Sequence, residues 1–330
     1  MAYQMTGNKY YPNTRATWIP RGRIRAYDDY TDSFLPVPGV RVRATHLLNV
    51  KETLTDVQGW FTLPSFNNSV SYKIVWESDE WDIRDGLVGQ ATFEGPTTNT
   101  SWHPEIGPEH EKNVRYAATH RAAYKYYFQD INGLLRPTFS SKLKICQRVA
   151  NSGTPSVFSN VLGWHIESWI YNSYGSLRKI HDMYYYIAHE LGHASHYSHN
   201  QDDYNTYSQS IKESWALFSG LTVYKKEYGD YFESAYTSYE NEWPNVSNVR
   251  YSPIFLDLFD DYNQSLPDNT TLPNDVVGGY SCSTLGSILN DAAYTLADLK
   301  IKVKENKPVG VFDSDIDTLF TVFESNWIDD

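Results

Sequence analysis

Between Trp18 and Trp76 apolar and polar residues change places at every second position, the period of a strand with one buried face. Arg23-Ile24-Arg25-Ala26-Tyr27 alternates in this way, as do Val40-Arg41-Val42-Arg43-Ala44 and Val70-Ser71-Tyr72-Lys73-Ile74-Val75-Trp76. Turn residues separate the runs. Pro36-Val37-Pro38-Gly39 precedes the second, and Thr55-Asp56-Val57-Gln58-Gly59 precedes a short strand at Trp60-Phe61-Thr62-Leu63. In that turn the Asp side chain is placed to bond nearby backbone, and Gly59 is free to take positive φ. Short strands about ten residues apart with Gly and Pro between them predict a β-sandwich. Residues 1–16 are polar and aromatic without a period and read as a tail or edge segment.

The texture changes after residue 105. Pro96, Pro104, Gly107 and Pro108 predict a linker over 95–112. From Val114 to Ile131 the period is helical, with Tyr116, His120, Ala123, Tyr127 and Phe128 on one face and Asn132-Gly133 as the stop. Lys142–Cys146 and Trp164–Tyr171 alternate as strands. His165 and Glu167 share a face of the latter, which fits a solvent-facing row or, alternatively, a second metal pair. Ser176 to Ile187 has neither Pro nor Gly, and Ile180, Met183, Ile187 and Leu191 form a helical stripe. A polar loop over 200–208 leads into a second helical run, Ile211–Leu221. Further helices are predicted at about 252–263, 283–305 and 313–325. The expected organisation is two domains: an all-β sandwich over 1–105 and an α+β, mainly helical domain over 106–330.

Chemistry concentrates at His189-Glu190-Leu191-Gly192-His193, which reads H-E-x-x-H. Side chains four apart stand one above the other on a helix, so both imidazoles reach one metal ion, Zn²⁺ by this pattern. Glu190 is rotated off that line, where it serves as a base toward the water that the metal activates. A catalytic zinc needs a third protein ligand. His199 stands where metzincins place theirs, but His196 occupies the position those proteins give to Gly, and the three Met residues, Met1, Met5 and Met183, all precede the site. Glu213 is the better candidate: it opens the second helix, and Ala216 and Gly220 beside it allow a neighbouring helix to come close. Ser210-Ile211-Lys212-Glu213 also spells a capping box, in which the Glu would only bond backbone.

H-E-L-G-H followed by a helical Glu twenty residues on resembles the gluzincin zinc metallopeptidases, the thermolysin-like enzymes. The resemblance covers about residues 115–225. It implies a zincin-like catalytic domain, with His189, His193 and Glu213 as ligands and Glu190 as base, acting on a peptide or protein substrate. It also implies that the strand before the metal helix, Trp164–Tyr171, is a sheet edge that pairs with substrate backbone. The chain departs from the pattern around Glu213, whose flanks are Lys212 and Ala216-Leu217 rather than Asn and a Ser-Asp pair. It also has no His after His199, so a Tyr hydroxyl, Tyr204 or Tyr280, would have to take over transition-state stabilisation. The exopeptidase motif G-x-M-E-N is absent, which points to an endopeptidase or to an unusual specificity. P-V-P-G-V-x-V followed by T-D-x-x-G-x-F resembles the carboxypeptidase regulatory-like (transthyretin-like) domains, usually accessory modules. Two rival readings remain: a non-catalytic binding protein with a structural zinc, and a zinc hydrolase of non-peptide amides or esters.

Composition narrows the partners. The net charge is −12, and residues 201–330 hold 22 Asp/Glu against 8 Lys/Arg, a surface that repels phosphate backbones and excludes nucleic acid. With 27 Tyr and 10 Trp the chain is too aromatic for disorder, and it lacks an apolar run long enough to span a membrane. Met1-Ala2-Tyr3-Gln4 is not a secretion signal; the expected location is secreted, cell-surface or periplasmic, with a leader not present in this chain. Cys146 and Cys282 fit one disulfide or two buried thiols. Nothing in the sequence fixes the oligomeric state.

Overall fold

Strands fill the first third of the chain and helices dominate the rest. The computed structural model describes residues 17–86, 89–149, 157–161, 165–172, 179–229, 252–261 and 276–324, with the backbone alone over 147–149, 157–161 and 165–172. The tail expected at 1–16 and the side chains of His165 and Glu167 lie outside the described residues.

The first strands are β1 (Arg21–Arg23), β2 (Arg25–Asp28), β3 (Ser33–Pro36), β4 (Arg41–His46), β5 (Asn49–Leu54), β6 (Trp60–Thr62) and β7 (Val70–Val75). They are followed by β8 (Trp81–Asp85), β9 (Gly89–Gln90), β10 (Thr92–Thr98) and β11 (Glu105–Ile106). Alternation works as the sequence predicts. Val42, Ala44, Tyr72 and Ile74 are buried, while Arg41, Arg43 and Lys73 on the other face pair with Glu77, Glu52 and Glu94. β10-β7-β4-β5 form one antiparallel sheet, and β11-β2-β3 and β1-β6 form smaller ones. In the turn before β6, Asp56 Oδ1 accepts from the Gln58 and Trp60 N–H groups, each at 2.9 Å, and Gly59 has φ of 78°, as expected of that sequence. Residues 95–112 are not a free linker. They contribute the end of β10 and all of β11, with Thr97 and Thr98 paired to β7 and Trp102 buried against Tyr72.

The helices are α1 (Glu111–Phe128), α2 (Ile180–His199), α3 (Gln209–Tyr228), α4 (Ile254–Phe259), α5 (Cys282–Asn290), α6 (Leu296–Glu305) and α7 (Asp313–Glu324). The single helix expected over 283–305 is two. Ala292 adopts positive φ, and Thr295 and Asp298 form a reciprocal capping box that starts α6 afresh. Helix α1 stops three residues short of Ile131, and the chain then turns through Asn132 and Gly133, both at positive φ. Cys146 and Cys282 are both free and buried.

Between the strand-rich and helical regions lies a mixed sheet of order β13-β14-β12-β8-β9, with β12 (Leu143–Val149), β13 (Val157–Val161) and β14 (His165–Asn172). β12 runs parallel to both β8 and β14, and β13 is antiparallel to β14 at the rim. The strand at 165–172 is therefore interior, not the edge that the family resemblance implies; β13 holds that place. The sheet also crosses the expected seam at 105/106, since β8 comes from before it and β12 from after it. Trp81 of β8 packs on His120 and Tyr127 of α1, and Trp76 Nε1 donates to Asn113 Oδ1 at 2.9 Å. Buried apolar side chains form one continuous cluster from Ile24 to Phe323. Each Leu, Ile or Phe fully buried there contributes ~1.5–3 kcal/mol.

Candidate metal centre

Helices α2 and α3 carry the residues singled out by the sequence, and small residues set their spacing. A Cβ on Gly192 would meet Ala216 Cα and Ser219 Cβ at 2.9 Å, and one on Gly220 would meet His189 Cα at 3.1 Å. As α2 advances from His189 to Gly192, its neighbours on α3 fall from Gly220 to Ala216, so the helices are antiparallel and nearly in backbone contact. The close approach expected at Ala216 and Gly220 is present.

This packing brings the H-E-x-x-H side chains and Glu213 together. His189 Nε2 lies 3.4 Å and His193 Nε2 3.2 Å from the same oxygen, Glu213 Oε2. The imidazole centroids are 4.9 Å apart with planes at 84°, and one ligand atom from each of the three residues lies within 4.8 Å of the others. Two donor atoms each about 2.0–2.1 Å from a tetrahedral metal stand about 3.3–3.4 Å apart. The two Nε2–Oε2 separations match that edge, and two imidazoles with one carboxylate are the donor set a catalytic zinc takes. The three residues therefore fit a zinc ion. They are not on a surface helix: His189, Glu190 and His193 are 6%, 4% and 7% exposed.

Glu213 is not a capping residue. Helix α3 begins earlier than the sequence predicts, and its cap is Ser208, whose hydroxyl accepts from the Ile211 N–H at 3.3 Å. Glu213 lies too far into the helix to reciprocate. Its Oε1 instead accepts from Gln209 Nε2 at 2.6 Å, which leaves Oε2 facing the imidazoles. Burial alone would push this carboxyl up, but the charges of His193 and His189 and their hydrogen bonds outweigh it and hold the group well below the usual carboxylate range. Gln209 went unrecognised in the sequence, although its i, i+4 spacing to Glu213 was readable.

Tyr204 sits in the 3₁₀ turn Tyr204–Thr206 between the helices, with its hydroxyl 3.5 Å from His193 Nδ1. Burial raises its phenol first, and the negative charges of Glu213 and Glu190 raise it further. Lys212 Nζ lies 5.2 Å from the Tyr204 ring centre. The other candidates go elsewhere. His199 Nε2 bonds the Arg136 carbonyl at 3.0 Å, and the buried Tyr280 donates to the Val303 carbonyl at 2.9 Å. His196, at the metzincin Gly position, is fully buried, edge-on to Tyr204 and Tyr207. Burial pushes its imidazole well below the usual range, with the nearby His193 charge acting in the same direction.

The chain matches no protein-family model, and a search of curated proteins returns no relative.

Proposed function

We propose that the chain is a zinc-dependent peptidase, an endopeptidase of the gluzincin kind, acting outside the cell or at its surface. His189, His193 and Glu213 hold the ion, and Glu190 is the general base. The observation that carries this reading is the pair of Nε2–Oε2 separations, 3.4 and 3.2 Å, made by residues twenty and more apart in sequence and converging on one carboxylate oxygen.

A bound zinc ion lowers the pKa of water to about 7 and polarises a carbonyl. Glu190, one position after His189 on α2, takes the proton of the attacking water and passes it to the leaving amine. The Tyr204 hydroxyl, 3.5 Å from His193 Nδ1, is placed to accept from an Nδ1–H, a tautomer that would leave Nε2 free to hold the ion. Among the described residues β13 has no strand on its outer side, and it packs against α2. An extended peptide adds to such an edge by main-chain hydrogen bonds, which suits a peptide substrate. A mixed sheet with an antiparallel rim strand beside the metal helix supports a zincin-like fold, and the β10-β7-β4-β5 sheet supports a transthyretin-like accessory module.

The test pairs two variants. Glu190→Gln retains zinc and loses about 10²- to 10⁴-fold in turnover of a general protein substrate. Glu213→Ala loses zinc. Undiminished proteolysis by the first, or full zinc occupancy in the second, sinks the assignment.

A further inference from the structure

The end of β2 and the first residue after it grip the two helices of the proposed metal centre from outside the site. Asp29 Oδ2 accepts from the Ile180 N–H at 2.8 Å, and Oδ1 accepts from the His181 N–H at 3.1 Å and bonds His181 Nδ1 at 3.0 Å. The first N–H groups of a helix need a partner. Lys179, at the N-cap of α2, contributes no side-chain bond, so a residue 151 positions earlier does so instead. Its neighbour Asp28, fully buried, holds the other helix. Asp28 Oδ2 accepts from the hydroxyl of Tyr228, the last residue of α3, at 2.7 Å, and from Arg121 Nη1 at 2.9 Å. Arg121 also pairs with Glu227, which Lys125 engages at 2.6 Å. Asp28 Oδ1 accepts from the Tyr30 and Thr31 N–H groups, both at 3.2 Å, which fixes the turn. Tyr30 lies edge-on to both His181 and Tyr228, at 5.7 and 5.4 Å.

The start of α2 and the end of α3 are thus fastened to two consecutive side chains. From those anchors His189 is about 13 Å along α2 and Glu213 about 22 Å along α3, at 1.5 Å per residue. A helix passes an axial shift at its end to every residue along it, and a metal site tolerates only about 0.5 Å of misplacement.

We propose that the Asp28-Asp29 pair is a positioning device for the metal centre, setting the height of α2 against α3 and so the distance from the Glu213 carboxylate to the two imidazoles. This rests on the reading that those three residues hold a metal ion. Neither Asp belongs to the His189, His193 and Glu213 group that would hold the ion.

The test separates positioning from simple helix capping, using cobalt(II) as the metal probe in the full chain. Its affinity is measured by chelator competition and its geometry by visible d–d absorption. Asp29→Ala is expected to lower cobalt affinity at least about tenfold, the smaller end of what misoriented ligands lose, and to alter the visible bands. Asp29→Ala/Lys179→Ser puts a local cap on α2 without the tie to the loop. It is expected to recover thermal stability while cobalt affinity stays low, and it decides alone if the single variant does not fold. Wild-type affinity and bands in either folded variant overturn the proposal. Wild-type protein that binds no cobalt overturns the metal reading itself, and this inference with it.

Discussion

Gly192→Ala probes how closely the two helices of the metal centre are set. In an unconstrained helix interior this change stabilises by ~0.8–1.0 kcal/mol, because Gly loses more backbone freedom on folding. Here the new methyl would stand 2.9 Å from Ala216 Cα and Ser219 Cβ. Carbon atoms rest at about 3.5–4.0 Å, so the helices must part by roughly 0.6 Å or more. Overpacking of that kind costs ~1–3 kcal/mol, which offsets the propensity gain and leaves a net loss of up to about 2 kcal/mol. The proposed metal centre is the more sensitive reporter. Widening its 3.2 and 3.4 Å edges by that amount exceeds the ~0.5 Å tolerance of a preorganised site. Zinc affinity by chelator competition should therefore fall at least about tenfold, alongside a lower midpoint in thermal denaturation. A Gly192→Ala protein stabilised by about 1 kcal/mol, as propensity alone predicts, with unchanged zinc affinity would refute this reasoning.

Two further outcomes are expected. Tyr204→Phe removes the oxygen 3.5 Å from His193 Nδ1 while keeping the ring beneath Lys212, so zinc affinity should drop about tenfold at little cost in folding; an unchanged dissociation constant removes Tyr204 from the centre. His120 is buried as the neutral imidazole: Nε2 donates to the Pro38 carbonyl at 3.0 Å and Nδ1 accepts from Trp81 Nε1 at 3.3 Å, and burial holds its pKa down to about 4. The unfolded imidazole takes a proton near 6.5 and the folded one only near 4, so its contribution is complete above pH 6.5 and is lost as pH falls through that window, on the order of 3 kcal/mol in all. Urea melts in a chelator at pH 7 and 4.5 measure it, and an equal slope in His120→Gln would assign the loss to other groups.

What could be read from the sequence was local. The H-E-x-x-H residues lie within one turn of their own helix, and Glu213, Ala216 and Gly220 recur at spacings of three and four on the next, so motif and spacing sufficed for each helix by itself. Ser210 makes Glu213 match a capping box as well as a ligand, and only the earlier start of α3 at Gln209, capped by Ser208, separates the two. The break between α5 and α6 had a readable signal, Thr295 three before Asp298, masked by apolar residues that continue on both sides. Strand order had none. That Trp81–Asp85 joins Leu143–Val149, that β14 is interior and that Asp29 caps α2 are pairings across tens to more than a hundred residues, which no periodicity encodes.

The parallel pairing of β8 with β12 bears on how this protein can be handled. A fragment beginning at residue 106 would lack the five residues, Trp81–Asp85, that cover one rim of Leu143–Gln147. The stripped rim would offer its amides to any other extended chain, a template for self-association. The same cut would strand the Arg121 guanidinium in the interior without the Asp28 counter-charge. Expression of the helices by themselves should give aggregate rather than a folded fragment, and engineering that grafts or shortens the protein has to carry the early strands along.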